Sequence, residues 1–347
     1  MTDVVVLSAA RSPIGAFLGA FREVPAPDIA AQVLNAAVAK AGLEPSDVQQ
    51  LNLGCVLPAG IGQAPARQAA LGAGCPPGTG AVTLNKVCGS GMRAVMMAAN
   101  DLRCGDYSVV AAGGMENMSR SPFLLPQARR GLRLGAAELV DSVVHDGLWD
   151  PYNDVHMGNC AEICADHYAF DRAAQDDFAL ESYRRARRAT EDGTFAREIV
   201  AISTPSGEVS RDEEPFRVDL DRIRSLRPAF QGDGSVTAGN ASSLDDGAAV
   251  LVLTTAERGL ALGLQPVARI VAQASVAQEP EWFTTAPVAA IRAVLARGEL
   301  EVGDIDLFEI NEAFAVVAMA CTKELELDPE RVNVHGGAVA LGHPIGA

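Results

Sequence analysis

Residues 81–103 read AVTLNKVCGSGMRAVMMAANDLR. Apolar and β-branched side chains open the stretch and predict a strand over 81–86; an Ala- and Met-rich run closes it as a helix over 89–103. A strand that turns through Cys-Gly-Ser-Gly into a helix is one unit of a layered α/β architecture. The same alternation extends to both sides. Strands are expected at 4–10, 51–57 and 108–112, with helices at 27–41 and 64–72. A long polar stretch, 119–242, then interrupts. It holds an Arg-rich helix at 171–192 and reads as an insertion, after which a strand at 248–254 returns to the first sheet.

The pattern then starts again. A strand at 267–274 is followed by a helix at 287–297, a strand at 305–310, a helix at 311–325 and a strand at 331–334. A Gly-rich run, 336–347, comes last. Laid on the first half, this second half stops where its third helix is due. An exposed sheet edge and apolar surface would result, so a missing C-terminal portion is expected. The division read from this is 1–118 plus 243–263 as the first half, 119–242 as the insertion, and 264–347 as the second half.

Composition bounds the function. A chain of 347 residues suits two domains, or two plus an insertion. Hydrophobic residues make up 48% and charged residues 21%, which supports a large core, and 33 Gly and 19 Pro suit many tight turns. A net charge of −16 argues against a nucleic-acid partner, while the arginines between 129 and 227 leave room for a local anionic ligand. No apolar run approaches membrane-spanning length, and residues 1–9 lack the regions of a secretion signal. Seven irregularly spaced cysteines read as reduced thiols in a cytoplasmic enzyme.

Cys88 stands where strand meets helix, and the helix N-terminus there favours a thiolate. The Cys88 N–H can point at an oxyanion. A small buried core cysteine is the bland alternative. His343, in Gly342-His343-Pro344-Ile345-Gly346, is either a turn residue or a base for the Cys88 proton. Asn311 opens the 311–325 helix and is either an N-cap or a group that orients a water or the substrate oxygen. His156, Cys160, Cys164 and His167 recur at helical spacing, as metal ligands would, but these Cys spacings are long for structural zinc.

Taken together, Cys88, Asn311-Glu312-Ala313-Phe314 and His343, with Gly113-Gly114-Met115-Glu116, Val236 to Ser242 and Asp245-Asp246-Gly247, resemble the thiolase family in its short-chain, acetoacetyl-CoA-forming type. The resemblance runs over 4–347. It implies duplicated βαβαβαββ halves in a layered α-β-α-β-α core with an inserted loop domain, the second half truncated. It implies acetyl-CoA C-acetyltransfer, a reversible Claisen condensation of two acetyl-CoA to acetoacetyl-CoA and CoA through an acyl-Cys88 intermediate. Cys88, His343 and Asn311 match the catalytic positions. The family's second cysteine, in a C-terminal Cys-x-Gly-Gly motif, has no counterpart up to Ala347, and Cys321 is not in its place. A chain ending there is expected to be a poor catalyst, or a non-catalytic CoA-binding protein. A broader-chain 3-ketoacyl-CoA thiolase is the other rival.

The same resemblance implies that Leu148, His156, Met157, Phe230, Ser242, Phe283 and Phe314 line the pantetheine and acyl pocket. No cofactor is required, since CoA is a substrate. Tyr152, Ala238, Gly239, Ala241 and Val339 match a potassium site of some members, Gly239 replacing an alanine. Residues 119–133 resemble the tetramerisation loop, and Phe123-Leu124-Leu125-Pro126 would be costly to leave in water. A homo-oligomer, dimer or tetramer, is expected, with no membrane partner.

Overall fold

The computed structural model describes residues 2–347. Its centre is one mixed sheet. Strands β1 (Val4–Arg11), β2 (Gln50–Gly54), β3 (Gly80–Leu84), β4 (Val109–Asn117) and β5 (Asp245–Thr255) lie in the order β1-β5-β4-β2-β3. A short β6 (Ala268–Arg269) adds to the outer edge of β1. Strand β5 is antiparallel to both its neighbours, β1 and β4, whereas β4, β2 and β3 run parallel. All five strands expected in the first half are present, each displaced by a few residues at its ends.

The period-2 alternation of the strands sorts their side chains to two faces. On one face Val5, Leu7, Leu51, Leu53, Val109, Ala111, Val250 and Val252 pack under helices α1 (Ala26–Lys40) and α2 (Pro65–Gly72). On the other, Val4, Val6, Val110, Ala112 and Leu253 meet Ala94, Ala98, Ala99 and Leu102 of α3 (Ser90–Cys104). The alanines let α3 lie close to the sheet. The parallel arrangement of β2, β3 and β4 brings their C-terminal ends to one edge, where α/β proteins place ligands.

The 119–242 stretch carries α4 (Met157–Tyr168) and α5 (Arg172–Glu191). It is tied back to the sheet by Arg11, whose guanidinium donates to both Asp212 oxygens at 2.7 and 3.0 Å and to Glu198 at 2.6 Å. Helices α6 (Ala286–Gly298), α7 (Ala315–Glu324) and α8 (Ala338–Leu341) follow.

The second half departs from the expected strand pattern. Of the strands read at 267–274, 305–310 and 331–334, regular pairing is confined to β6 and to one parallel bridge between Phe308 and Val332. A backbone stretch becomes a strand only when neighbours complete its ladder. Residues 308 and 310 find theirs only in 331–333, partly through the Asn333 side chain, which donates to the Ile310 carbonyl and accepts from its amide. The 311–325 helix is also shorter, starting at Ala315. Residues 313–315 instead run extended beside 240–242, with an Ala241–Phe314 bridge and Ser242 N donating to Ala313 O at 3.0 Å.

Leu53, fully buried between β3 and β4, tests the core. Leu53→Ala is expected to cost about 2–5 kcal/mol, read as a lowered urea midpoint followed by circular dichroism.

Candidate active site

Cys88 sits on the turn joining β3 to α3, and the local chain is folded tightly. Val87 holds φ at +47°, a strained value for a β-branched residue, of the kind that clusters at functional sites. Three side-chain bonds hold the turn. Ser90 Oγ donates to Val87 O at 2.6 Å and accepts from Lys86 N at 2.8 Å, while Asn85 Oδ1 accepts from Val87 N at 2.9 Å. The result lifts Cys88 out, exposed, ahead of the first helical turn, as the strand–turn–helix reading required.

The His343 loop is laid against this turn. A methyl on Gly91 would lie 2.8 Å from the Ala347 carbonyl carbon, and one on Gly114 would run into Gly346 O. These two close approaches put the 342–347 segment against α3 and β4 at once. The loop is anchored from below by Asp245, whose Oδ2 accepts from His343 N at 2.8 Å and from Ser243 Oγ at 2.8 Å. Beyond it Asn311, also exposed, puts Nδ2 3.3 Å from His343 Nε2, the arrangement of an amide donating to an unprotonated ring nitrogen. Helix α7 has Phe314 at its N-cap and no side-chain cap bond, so Asn311 is not an N-cap. The structure brings together Asn311, His343 and the Cys88 turn.

Electrostatics set the resting state. Burial among packed atoms pushes the Cys88 thiol up to about 11; the charge of nearby Glu116 adds to the rise and the Cys88 amide opposes it. Water reaches Cys88 and tempers that penalty. Burial pushes half-buried His343 down to about 4. At neutral pH the pair is therefore thiol and free imidazole, and the thiolate forms only as its proton is taken.

Most of the expected pocket residues pack on one another. His156 stacks on Phe230 with centroids 4.9 Å apart, and Phe230 and Phe283 both meet Phe314 edge-on at 6.0 and 6.3 Å. Met157 joins the same cluster, and Ser242 Oγ donates to Ala313 O at 3.0 Å. Leu148 packs on the other side, with Leu57 and Ile345. His156 Nδ1 accepts from Gly158 N, so its Nε2–H is the free donor.

Other candidates fare differently. Gly239 and Val339 both pack on Ile223, and Ala241 bridges to Phe314, but Tyr152 stands 80% exposed with only its amide engaged, by Asp150. Ala238 is exposed. Cys160 and Cys164 are fully buried, and no group of three metal-binding side chains occurs among the described residues. Cys321 is likewise buried, its thiol pushed up to about 12 by burial. A recess of about 400 Å3 opens between α4 and residues 231–235, with no catalytic candidate in its lining; Glu162, Asp166, Asp171 and Asp233 make it unfit for CoA phosphates.

Two residues at the site were quoted in motifs without a role. Glu116 and Asp245 are fully buried carboxylates, and burial pushes them up to about 7 and about 8. A raised carboxyl gives stability that is complete below its ordinary value and lost as pH rises through the folded one. His343 works oppositely, losing stability as pH falls from its ordinary range toward 4. Asp245→Asn is therefore expected to remove a loss of roughly 4 kcal/mol on going from pH 5 to pH 8, measured by urea unfolding at both pH values.

Comparison with known proteins accords with this geometry. Residues 4–257 match the model of the thiolase N-terminal domain and 264–347 that of the thiolase C-terminal domain. Acetyl-CoA acetyltransferase 2 of Arabidopsis thaliana is 50% identical over 99% of this chain and 87% of its own length. The acetyl-CoA acetyltransferase of Pseudomonas aeruginosa is 48% identical over 100% of this chain and 90% of its own. A thiolase from Ascaris suum, crystallised in complex with coenzyme A, superposes with a TM-score of 0.95 at 42% identity, covering 99% of this chain and 90% of that one. With both halves matched and its fold shared throughout, the chain belongs to the thiolase family.

Proposed function

We propose that the chain is an acetyl-CoA C-acetyltransferase that carries the acetyl group on Cys88. The observation that carries this reading is the packing of the His343 loop onto the Cys88 turn, with His343 neutral and its Nε2 facing Asn311. Cys88 Sγ attacks the thioester carbonyl of acetyl-CoA while its proton passes to His343. The C–S bond to CoA breaks, and His343 returns the proton to the departing CoA sulfur. The Cys88 N–H, at the head of α3, receives the developing oxyanion. Asn311, beside His343, is the group to orient a water or the second thioester's oxygen when the acceptor acetyl-CoA enters.

His156, Met157, Phe230, Ser242, Phe283, Phe314 and Leu148 receive the pantetheine arm and acyl chain. Phe230 and Phe283 meet Phe314 edge-on, and this tightly packed apolar lining supports a short acyl group over the longer substrates of a broad-chain thiolase. The residues of 119–242 serve CoA binding and assembly. Self-association, as dimer or tetramer, is supported by the outer edge of β3, with Val82 39% exposed, and by Phe123, Leu132, Leu134 and Leu139 in water. No helix among the described residues is long and apolar enough to cross a membrane. A potassium ion at Tyr152, Ala238, Gly239, Ala241 and Val339 would need Tyr152 to swing inward.

Incubation with acetyl-CoA, followed by intact-mass measurement and peptide mapping, is expected to place one acetyl group on Cys88. Cys88→Ala abolishes the label, and His343→Ala slows its appearance by about 10²-fold or more. A label on another cysteine, or none on a folded protein, overturns the assignment. In a chain-length series of 3-ketoacyl-CoA substrates, kcat/KM is expected to fall by about tenfold or more beyond acetoacetyl-CoA; a flat series supports the broad-chain reading instead.

A further inference from the structure

The carboxylate of Glu116 occupies the junction of β4, the residues after β2 and the His343 loop. It stands near the C-terminal end of β4, opposite Gly247 of β5, and no part of it reaches solvent. Its Oε2 accepts from Val56 N at 2.8 Å, and its Oε1 accepts from Leu57 N at 3.2 Å and from the Cys55 thiol at 3.6 Å. Gly346, three residues after His343, packs against the same Oε2 so closely that a methyl on it would run into that oxygen. The residues that follow β2 and the loop that carries His343 are thus joined through one side chain. Gly114, two residues before it on β4, and Gly91 of α3 both pack on the end of that loop, and the charge of Glu116 acts against the Cys88 thiolate. The partners are amides and a thiol, not a cation, so the charge is left uncompensated at the sheet end.

We propose that Glu116 is a positioning residue of the acyl-transfer site, clamping residues 55–57 and the His343 loop around Cys88 and setting, by its charge, how readily Cys88 loses its proton. This rests on the reading of Cys88 as the acyl carrier. Ionised Glu116 raises the cost of the thiolate, and protonated Glu116 lowers it. The titratable groups coupled to it are Cys55, just after β2, whose thiol donates to it, and Cys88 on the turn before α3. In Glu116→Gln one of the two oxygens becomes an NH2 group, which must oppose the amide of Val56 or Leu57. The clamp loosens while the charge disappears.

The two effects move Cys88 in opposite directions, which a merely structural role would not do. The test follows alkylation of Cys88 by iodoacetamide from pH 5 to about 12, in brief pulses mapped by peptide, with exposed Cys104 as internal control. In folded Glu116→Gln the alkylation midpoint of Cys88 is expected to fall by about half to one pH unit, that of Cys104 staying fixed. Acetylation of Cys88 by acetyl-CoA is expected to slow by about tenfold or more. A folded variant with the wild-type midpoint, or with the wild-type acetylation rate, overturns the proposal. Should Glu116→Gln not fold, the wild-type profile decides: two ionisations, the lower near 7, support the coupling, and one simple ionisation overturns it. Failure of wild-type Cys88 to accept acetyl from acetyl-CoA sinks the acyl-carrier reading alone, since the alkylation profiles still decide the role of Glu116.

Discussion

The site depends on one steric constraint, the close approach of the 342–347 backbone to the ends of the parallel strands. Where Gly91 and Gly114 face Ala347 and Gly346, there is no space for a side chain. Main chain therefore lies on main chain, and His343 is delivered to the Cys88 turn by contacts that cannot slide. Buried carboxylates take up the polar groups that such tight packing leaves unpaired. Asp245 accepts the His343 amide, and Glu116 accepts those of Val56 and Leu57. Each acid loses solvation by being there, which is why both are pushed upward. Amide donors offset part of that cost.

The same constraint shapes the chemistry. Burial disfavours both the thiolate and the imidazolium, so Cys88 and His343 rest uncharged. A neutral pair avoids a standing ion pair in a poorly solvated place and keeps the imidazole free as a base. Strain at Val87 serves the same end, since the left-handed residue turns the chain sharply enough to leave Cys88 exposed before α3 starts. Geometry rather than permanent charge prepares this nucleophile.

How much was legible beforehand is best judged residue by residue. The five strands of the first sheet and the helices around it follow from alternation of apolar side chains and from Ala-rich periodicity, both local signals. The cluster of His156, Met157, Phe230, Ser242, Phe283 and Phe314 was reached through family resemblance, since any one of these residues alone would read as core. The second half was less faithful. Residues 267–274 and 305–310 have strand-like composition, yet ladders are made between segments, and few segments there find partners. The start of α7 moved from Asn311 to Ala315 for the same reason: pairing with 240–242 outweighed helix propensity.

Sequence by itself determined the α/β layering, the placement of Cys88 at a strand-to-helix turn and the membership of Asn311 and His343 in the motif set. These rest on short-range patterns of side-chain polarity and on recognisable spacing. Tertiary structure alone decided that Asn311 faces His343 and does not cap a helix, and that Glu116 and Asp245 lie buried beneath the loop. Those outcomes depend on contacts between residues as much as 230 positions apart in the chain, as between Glu116 and Gly346. Long-range contacts set desolvation, and with it the charge state of each group, and no local pattern encodes them.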